Sequence, residues 1–194
     1  MIKTKLKILE CARELYNTKG VQQVSQRNIT KEIGISPGNL TYHFKSKHDI
    51  EKKLYFELVK KLNRVVAQID LEALDFQSIT TYLSTLYDHM LAYRFVFTDM
   101  LYLMRKNPTI ATHYRELLQI RKQQFEMMVK VLISKGIFRV PLFEDEYDLL
   151  YQRLQLITDF YFANAEIQSG VIQPDQKIHF INLLESMLAP FRKD

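Results

Sequence analysis

The sequence predicts an all-α protein, a small three-helix N-terminal unit followed by a larger helical domain. Three observations point there. Apolar residues recur at the 3.6-residue period of a helix along nearly the whole chain. The five glycines and five prolines fall almost only where that period stops, as expected for helices joined by short turns. Charge is unevenly divided: residues 1–64 hold 14 Lys/Arg against 6 Asp/Glu, whereas residues 65–194 hold 13 against 16. A basic segment joined to a mildly acidic one suits a polyanion-binding module attached to a part with another task.

The elements follow in order. A first helix spans about Lys3 to Lys19, with Ile8, Leu9, Ala12, Leu15 and Tyr16 as its apolar stripe and Gly20 behind it. A second runs from Ser25 to Ile33 and ends at Gly34. A third is very short: Ser36 caps it, Pro37 takes the first position, where a missing N–H costs nothing, and it stops near His43. From Lys47 a long helix runs to about Ile69, apolar through Ile50, Leu54, Leu58, Leu62 and Val65, and connects a domain of residues 1–48 to one of residues 49–194. Breaks at Asp75, Asn107–Pro108, Lys135–Gly136 and Gly170 with Pro174 divide the rest into helices near 76–93, 95–106, 108–135, 144–168 and 174–191.

Several function classes are disfavoured. A composition of 47% hydrophobic and 25% charged residues is that of a folded protein rather than a disordered one. Cys11 is the only cysteine, so no intrachain disulfide can form. The opening MIKTKLKILECARELY mixes charge throughout, and no apolar run reaches the roughly 18 residues of a membrane span. A cytoplasmic protein without membrane partners is expected. There is no H-E-x-x-H, C-x-x-C, glycine-rich phosphate loop or nucleophile elbow, so neither a metal, a cofactor nor an enzymatic activity is expected.

The stretch GISPGNLTYHFKSK, residues 34–47, carries the most specific signal. Gly34 allows a tight turn, Ile35 can lock two helices across it, and Ser36 starts a helix whose first turn can project. The projecting residues Pro37, Gly38, Asn39, Thr41, Tyr42 and His43 are small or hydrogen-bonding and include no acid. Such a face suits a DNA major groove, where Asn39 can pair with adenine and Thr41 can touch a thymine methyl. Gln26 and Arg27 lie at the second helix's N-terminus, where phosphate is welcome.

Residues 5 to about 50 resemble the DNA-binding domain of the TetR family of bacterial repressors. The likeness lies in the first helix ending at Lys19-Gly20, in Ile29 through Ser36, and in Gly38-Asn39-Leu40-Thr41-Tyr42-His43-Phe44-Lys45-Ser46-Lys47. Thr41 stands where the family usually has a phosphate-contacting tyrosine, and Thr30 and Ile33 replace small alanines. The resemblance implies DNA contacts from Gln26, Arg27, Ser36, Pro37, Gly38, Asn39, Thr41, Tyr42 and His43, and a phosphate contact from Lys47. It also implies a homodimer on a palindromic operator, acting as a repressor.

The second domain is rich in Phe, Tyr and Met. The cluster Tyr93, Phe97, Met100, Leu101 and Met104, with Phe125 and Met128, is expected to line a site for a small hydrophobic effector. The last two helices are apolar on two faces: one runs through Leu150, Leu154, Ile157 and Tyr161, continued by Ile181 and Leu188; the other holds Leu149, Leu156, Phe160 and Ile167, continued by Leu184. A helix apolar on both sides must cover its own domain and something else. Leu150, Leu154, Ile157, Tyr161, Ile181, Leu184 and Leu188 are assigned to a second copy, with the choice of face left open. Three other readings stay open: a regulator controlled by a protein partner, a helical adaptor with a degenerate DNA-binding unit, and an enzyme whose site the sequence does not reveal.

Overall fold

A computed structural model describes residues 2–170, 172 and 175–193. The N-terminal head is built from α1 (Ile2–Lys19), α2 (Gln26–Ile33) and α3 (Pro37–His43) packed on the start of α4 (Lys47–Ala67). Each start is capped as its residues dictate. Ser25 accepts from the Asn28 N–H while the Asn28 side chain accepts from the Ser25 N–H, and Ser46 forms the same reciprocal pair with Asp49. Ser36 Oγ accepts from the Asn39 N–H at 3.2 Å. Gly34 takes φ 68°, ψ 37°, a left-handed conformation that any side chain would strain, and it turns the chain from α2 into α3. Ile8, Ala12, Ile29, Leu40 and Ile50 are sealed between these helices, each isoleucine and leucine contributing about 1.5–3 kcal/mol of burial.

The body comprises α5 (Phe76–Ala92), α6 (Phe95–Thr98), α7 (Met100–Lys106), α8 (Pro108–Ser134), α9 (Glu146–Ser169) and α10 (Gln176–Leu188), then a 3-10 turn at Ala189–Phe191. Two expectations are corrected. The single helix expected over 95–106 is broken at Asp99, so that α6 packs on α9 and α7 on α8. The helix expected over 174–191 begins at Gln176, its proposed first residue Pro174 lying outside the described residues, and it tightens at Ala189 because Pro190 has no N–H for an α-ladder. The 11-residue connection between α8 and α9 is closed by Arg139, whose guanidinium grips both oxygens of Glu146 at 2.6 and 2.8 Å. An isolated antiparallel bridge from Phe138 to Arg192 ties that connection to the chain after α10.

The core is two adjoining clusters. One fills the junction of head and body, where Tyr16 meets Phe95 with ring centroids 5.3 Å apart and Phe97 meets Phe162 at 5.8 Å. The other, around Phe125, Leu132, Phe138, Leu150 and Phe191, fills the far end of the body. Leu83 and Leu154 border both. Being 21 residues long, α4 spans about 32 Å and runs from one cluster to the other.

Candidate nucleic-acid interface and adjoining cavity

The face of α3 is open. Ser36, Pro37, Gly38, Asn39, Thr41 and Tyr42 are exposed, Tyr42 at 70%, while Leu40 and Phe44 point into the head. Tyr42 and His43 meet edge to face at 5.2 Å, which leaves the Tyr42 ring outward and His43 half-buried. Thr41 satisfies its hydroxyl on the Pro37 carbonyl one turn back, at 3.0 Å, so what it turns outward is its methyl. Gly38 has nothing within 4 Å of where a Cβ would stand and no positive φ, so the head does not require glycine there. Beside α3, Arg27 is exposed, whereas the half-buried Gln26 amide donates to the Phe44 carbonyl at 3.4 Å and helps hold α2 on α3.

Lys47 is placed differently from the sequence reading. Its ammonium turns inward and donates to the Val21 carbonyl at 2.6 Å, 3.9 Å from the fully buried Glu51 carboxylate and above the rings of Tyr16 and Tyr102. Burial pulls its pKa below the ordinary lysine value, against the opposing pull of Glu51 and Asp99. A phosphate contact from Lys47 would have to share an ammonium already committed to Val21. The reason is local: the first turn of α4 lies under the α1–α2 turn, and Val21 O has a lone pair facing it.

The same turn is gripped from the body. The Val21 N–H donates to Asp99 Oδ2 at 2.8 Å. Asn17 bridges the gap between α5 and α6, donating to the Ala92 carbonyl at 3.0 Å and accepting from the Phe95 N–H at 3.1 Å. The Asn107 side chain donates to the His48 carbonyl at 3.3 Å. None of these four ties was anticipated, because an Asn or Asp inside an apolar pattern carries no sequence mark of a partner some 60 to 80 positions away.

The body holds an apolar cavity of about 210 Å³ between α4, α5, α8, α9 and α10. It is lined by Val65, Val66, Ile69, Ile79, Tyr82, Leu83, Leu86, Phe125, Met128, Leu154, Thr158, Leu184 and Leu188. A second hollow of about 330 Å³ opens beside it and shares Val66, Ile69, Phe125 and Met128, with Arg121 and Gln124 on its rim. The seven residues expected to line one site fall apart: Phe125 and Met128 line this cavity, and Phe97, Met100 and Leu101 line a separate hollow of about 490 Å³. Tyr93, Phe97, Met100 and Met104 belong instead to the junction cluster under the head, and Leu101 is 57% exposed on the surface beside Phe160.

The residues assigned to a second copy are also redirected. Leu150, Tyr161, Leu184 and Leu188 are buried within this chain, and Leu154, Ile157 and Ile181 pack half-buried on its clusters. Leu154, Leu184 and Leu188 line the cavity. The α9 side chains left outward are Leu149, Leu156, Phe160 and Ile167, the last 83% exposed. Periodicity showed two apolar faces, and only the packing of α9 against α5, α6 and α8 decided which one turns inward.

Two family models match this chain. One, described as bacterial regulatory proteins of the tetR family, matches residues 8–52; the other, the TetR bacterial transcriptional repressor model, matches residues 57–194. The chain belongs to the TetR family. Its architecture of helix-turn-helix head and larger helical body is that of a TetR-family crystal structure from Marinobacter aquaeolei, at TM-score 0.88 and 25% identity over 98% of this chain and 91% of that one. A Saccharomonospora viridis protein in complex with choline shares the fold at TM-score 0.71 and 23% identity, covering 97% of each chain. An HTH-type transcriptional regulator of Staphylococcus aureus is 29% identical over 93 residues, 48% of this chain and 49% of its own. The chain thus spans about half the length of the curated relatives it matches.

The matching family models describe bacterial transcriptional regulators, and among the described residues no helix is long and apolar enough to cross a membrane. TetR-family proteins generally bind DNA as homodimers. The residues that sequence reasoning missed in this member are the cavity lining on α4 and α5. Val65 and Ile69, and Ile79, Leu83 and Leu86, stand at the i, i+4 and i+7 spacing of any core-facing helix stripe, which carries no mark of a cavity.

Proposed function

We propose that this protein is a homodimeric repressor that sets α3 of each protomer in the major groove of a palindromic operator and releases it when a small, largely apolar effector enters the cavity of the body. Asn39 reads a base edge, the Thr41 methyl and Tyr42 lie against DNA, and Arg27 and the α2 N-terminus meet phosphate. The observation that carries the switch is the reach of α4. Its last turns supply Val65 and Val66 to the cavity, and its first residue, Lys47, clamps the α1–α2 turn. An effector that displaces the α4 C-terminus must disturb the clamp at the other end, and so the spacing of the two reading helices, which has to match about 34–36 Å or a multiple of it. The choline-bound relative supports small-molecule capture by this fold.

The outward stripe of α9, Leu149, Leu156, Phe160 and Ile167, with Ile178 of α10 at 64% exposure, is the self-association surface of this reading. The test is a gel-shift titration with duplexes selected from a random pool, on the wild type and on Leu83→Trp, which fills the cavity. Wild type selects a palindrome; Leu83→Trp stays folded and dimeric but binds that palindrome at least about tenfold more weakly. Failure to select any duplex sinks the operator reading, and an unchanged affinity in Leu83→Trp removes the cavity from the switch.

A further inference from the structure

The outer hollow has one cation on its rim, and that cation is unusual. Arg121 of α8 is half-buried, and its guanidinium donates to Gln124 Oε1 at 2.6 Å and to Asn63 Oδ1 of α4. Both acceptors are neutral amides. Among the described residues no carboxylate lies within ion-pair distance of it, whereas three other cations of the body each have one: Lys122 has Asp148, Arg139 has Glu146 and Lys177 has Asp88. Two N–H groups are used, which leaves three of the five donors in a fixed planar fork. Burial also lowers the pKa of this guanidinium, the direction expected of a cation whose environment lacks a counter-charge.

The surroundings give that fork a purpose. Arg121 stands at the mouth and does not line the inner chamber, whose walls are Leu, Ile, Val, Phe and Met with Thr158 and Tyr82 as polar exceptions. Val66, Ile69, Phe125 and Met128 line both spaces, so the hollow that holds the guanidinium adjoins the chamber across apolar side chains. We propose that the effector is an amphiphilic carboxylate, its anionic head paired side-on with Arg121 and its hydrocarbon tail in the chamber between α4, α5, α8 and α9. This rests on the reading of the cavity as the effector site and adds the chemical class of the effector. A bidentate arginine–carboxylate pair at a half-dry mouth is stronger than a contact with an alcohol of the same length, and it neutralises a charge the fold leaves open. The head would also compete for Asn63, so binding would act on α4 directly.

The chamber of about 210 Å³ holds roughly seven units of about 30 Å³, the volume of a water molecule and close to that of a methylene, so octanoate is the probe. Calorimetric titration of the full chain at neutral pH with octanoate, octanol and octylammonium should give octanoate about tenfold tighter than octanol, and octylammonium weakest. Arg121→Gln, which can still donate to Asn63, should lose the preference for octanoate while keeping octanol affinity within about twofold. Arg121→Lys should keep part of it. Leu83→Trp should weaken both ligands, its fold checked by circular dichroism. If octanol binds as well as octanoate, or the preference survives Arg121→Gln, the carboxylate assignment is wrong and the cavity reading stands. If octanoate binding survives Leu83→Trp, the site lies elsewhere. If neither ligand binds, the cavity reading falls and this inference with it.

Discussion

The Val21 N–H donates to Asp99 Oδ2 at 2.8 Å while the carbonyl of the same residue accepts from Lys47 at 2.6 Å. One peptide of the α1–α2 turn is thus held by the break between α6 and α7 and by the first residue of α4. Head and body cannot shift against each other without exchanging these bonds. Removing the acceptor leaves a buried donor unpaired, which costs about 1–3 kcal/mol. Asp99→Ala should lose that much in urea unfolding, and Asp99→Asn, which keeps a carbonyl oxygen in place, less than half of it. Equal stabilities for the two variants would mean that the bond contributes nothing.

Lys47→Ala should act on the fold as well as on DNA. It removes the charged one of two donors to the Val21 carbonyl, which keeps the Val24 N–H at 3.2 Å, and takes the nearest ammonium from Glu51, so a loss of about 1.5–3 kcal/mol is expected. Arg27, exposed at the start of α2, is the better probe of a pure phosphate contact. Arg27→Ala should leave the melting temperature unchanged, weaken all duplexes alike and lower the salt slope by about 1 per subunit. A Lys47→Ala protein of wild-type stability would restore the phosphate role.

Gly38→Ala separates fold from recognition. Open space surrounds this position and its backbone is helical, so alanine should stabilise the head by about 0.5–1 kcal/mol. If the backbone there approaches DNA, the same variant should bind the selected palindrome more weakly. Asn39→Ala should cost about 1–3 kcal/mol on that palindrome and little on random duplex; proportional losses on both would remove the base contact.

Phe160→Asp places a charge in the centre of the exposed α9 stripe. Since Phe160 is 44% exposed in the single chain, the protomer should remain folded, and sedimentation should show a monomer that no longer binds a palindrome cooperatively. Leu150→Asp, by contrast, should prevent folding, because Leu150 is fully buried. A dimeric Phe160→Asp protein would place self-association on another face.

The Arg139–Glu146 pair predicts a pH dependence. Its hydrogen bonds to the guanidinium, helped by the Leu142 N–H, hold the Glu146 carboxyl at about 2, below its ordinary 4.5. A depressed carboxyl stabilises the fold above its unfolded pKa and loses that contribution as pH falls through the folded one. Wild type should therefore lose stability between pH 4.5 and about 2, and Glu146→Gln should be less stable at neutral pH and flatter across that window. Parallel curves would show that the pair has no net effect.

What the sequence by itself determined was local. Caps and breakers such as Ser36, Pro37 and Gly34 act within a turn of themselves, so helix limits came out within a few residues and the open face of α3 was legible in Gly38, Asn39, Thr41 and Tyr42. Tertiary structure alone decided three things. Asp99 interrupts a helix that periodicity continues, and its carboxylate accepts from a peptide 78 positions away. Lys47 turns inward to a carbonyl that only the docking of α1 on α4 brings near. Leu154, Leu184 and Leu188 line a cavity rather than a partner surface. A period of 3.6 residues records that a face is apolar and not what covers it; that depends on helix packing angles, which are summed over contacts distant in the chain.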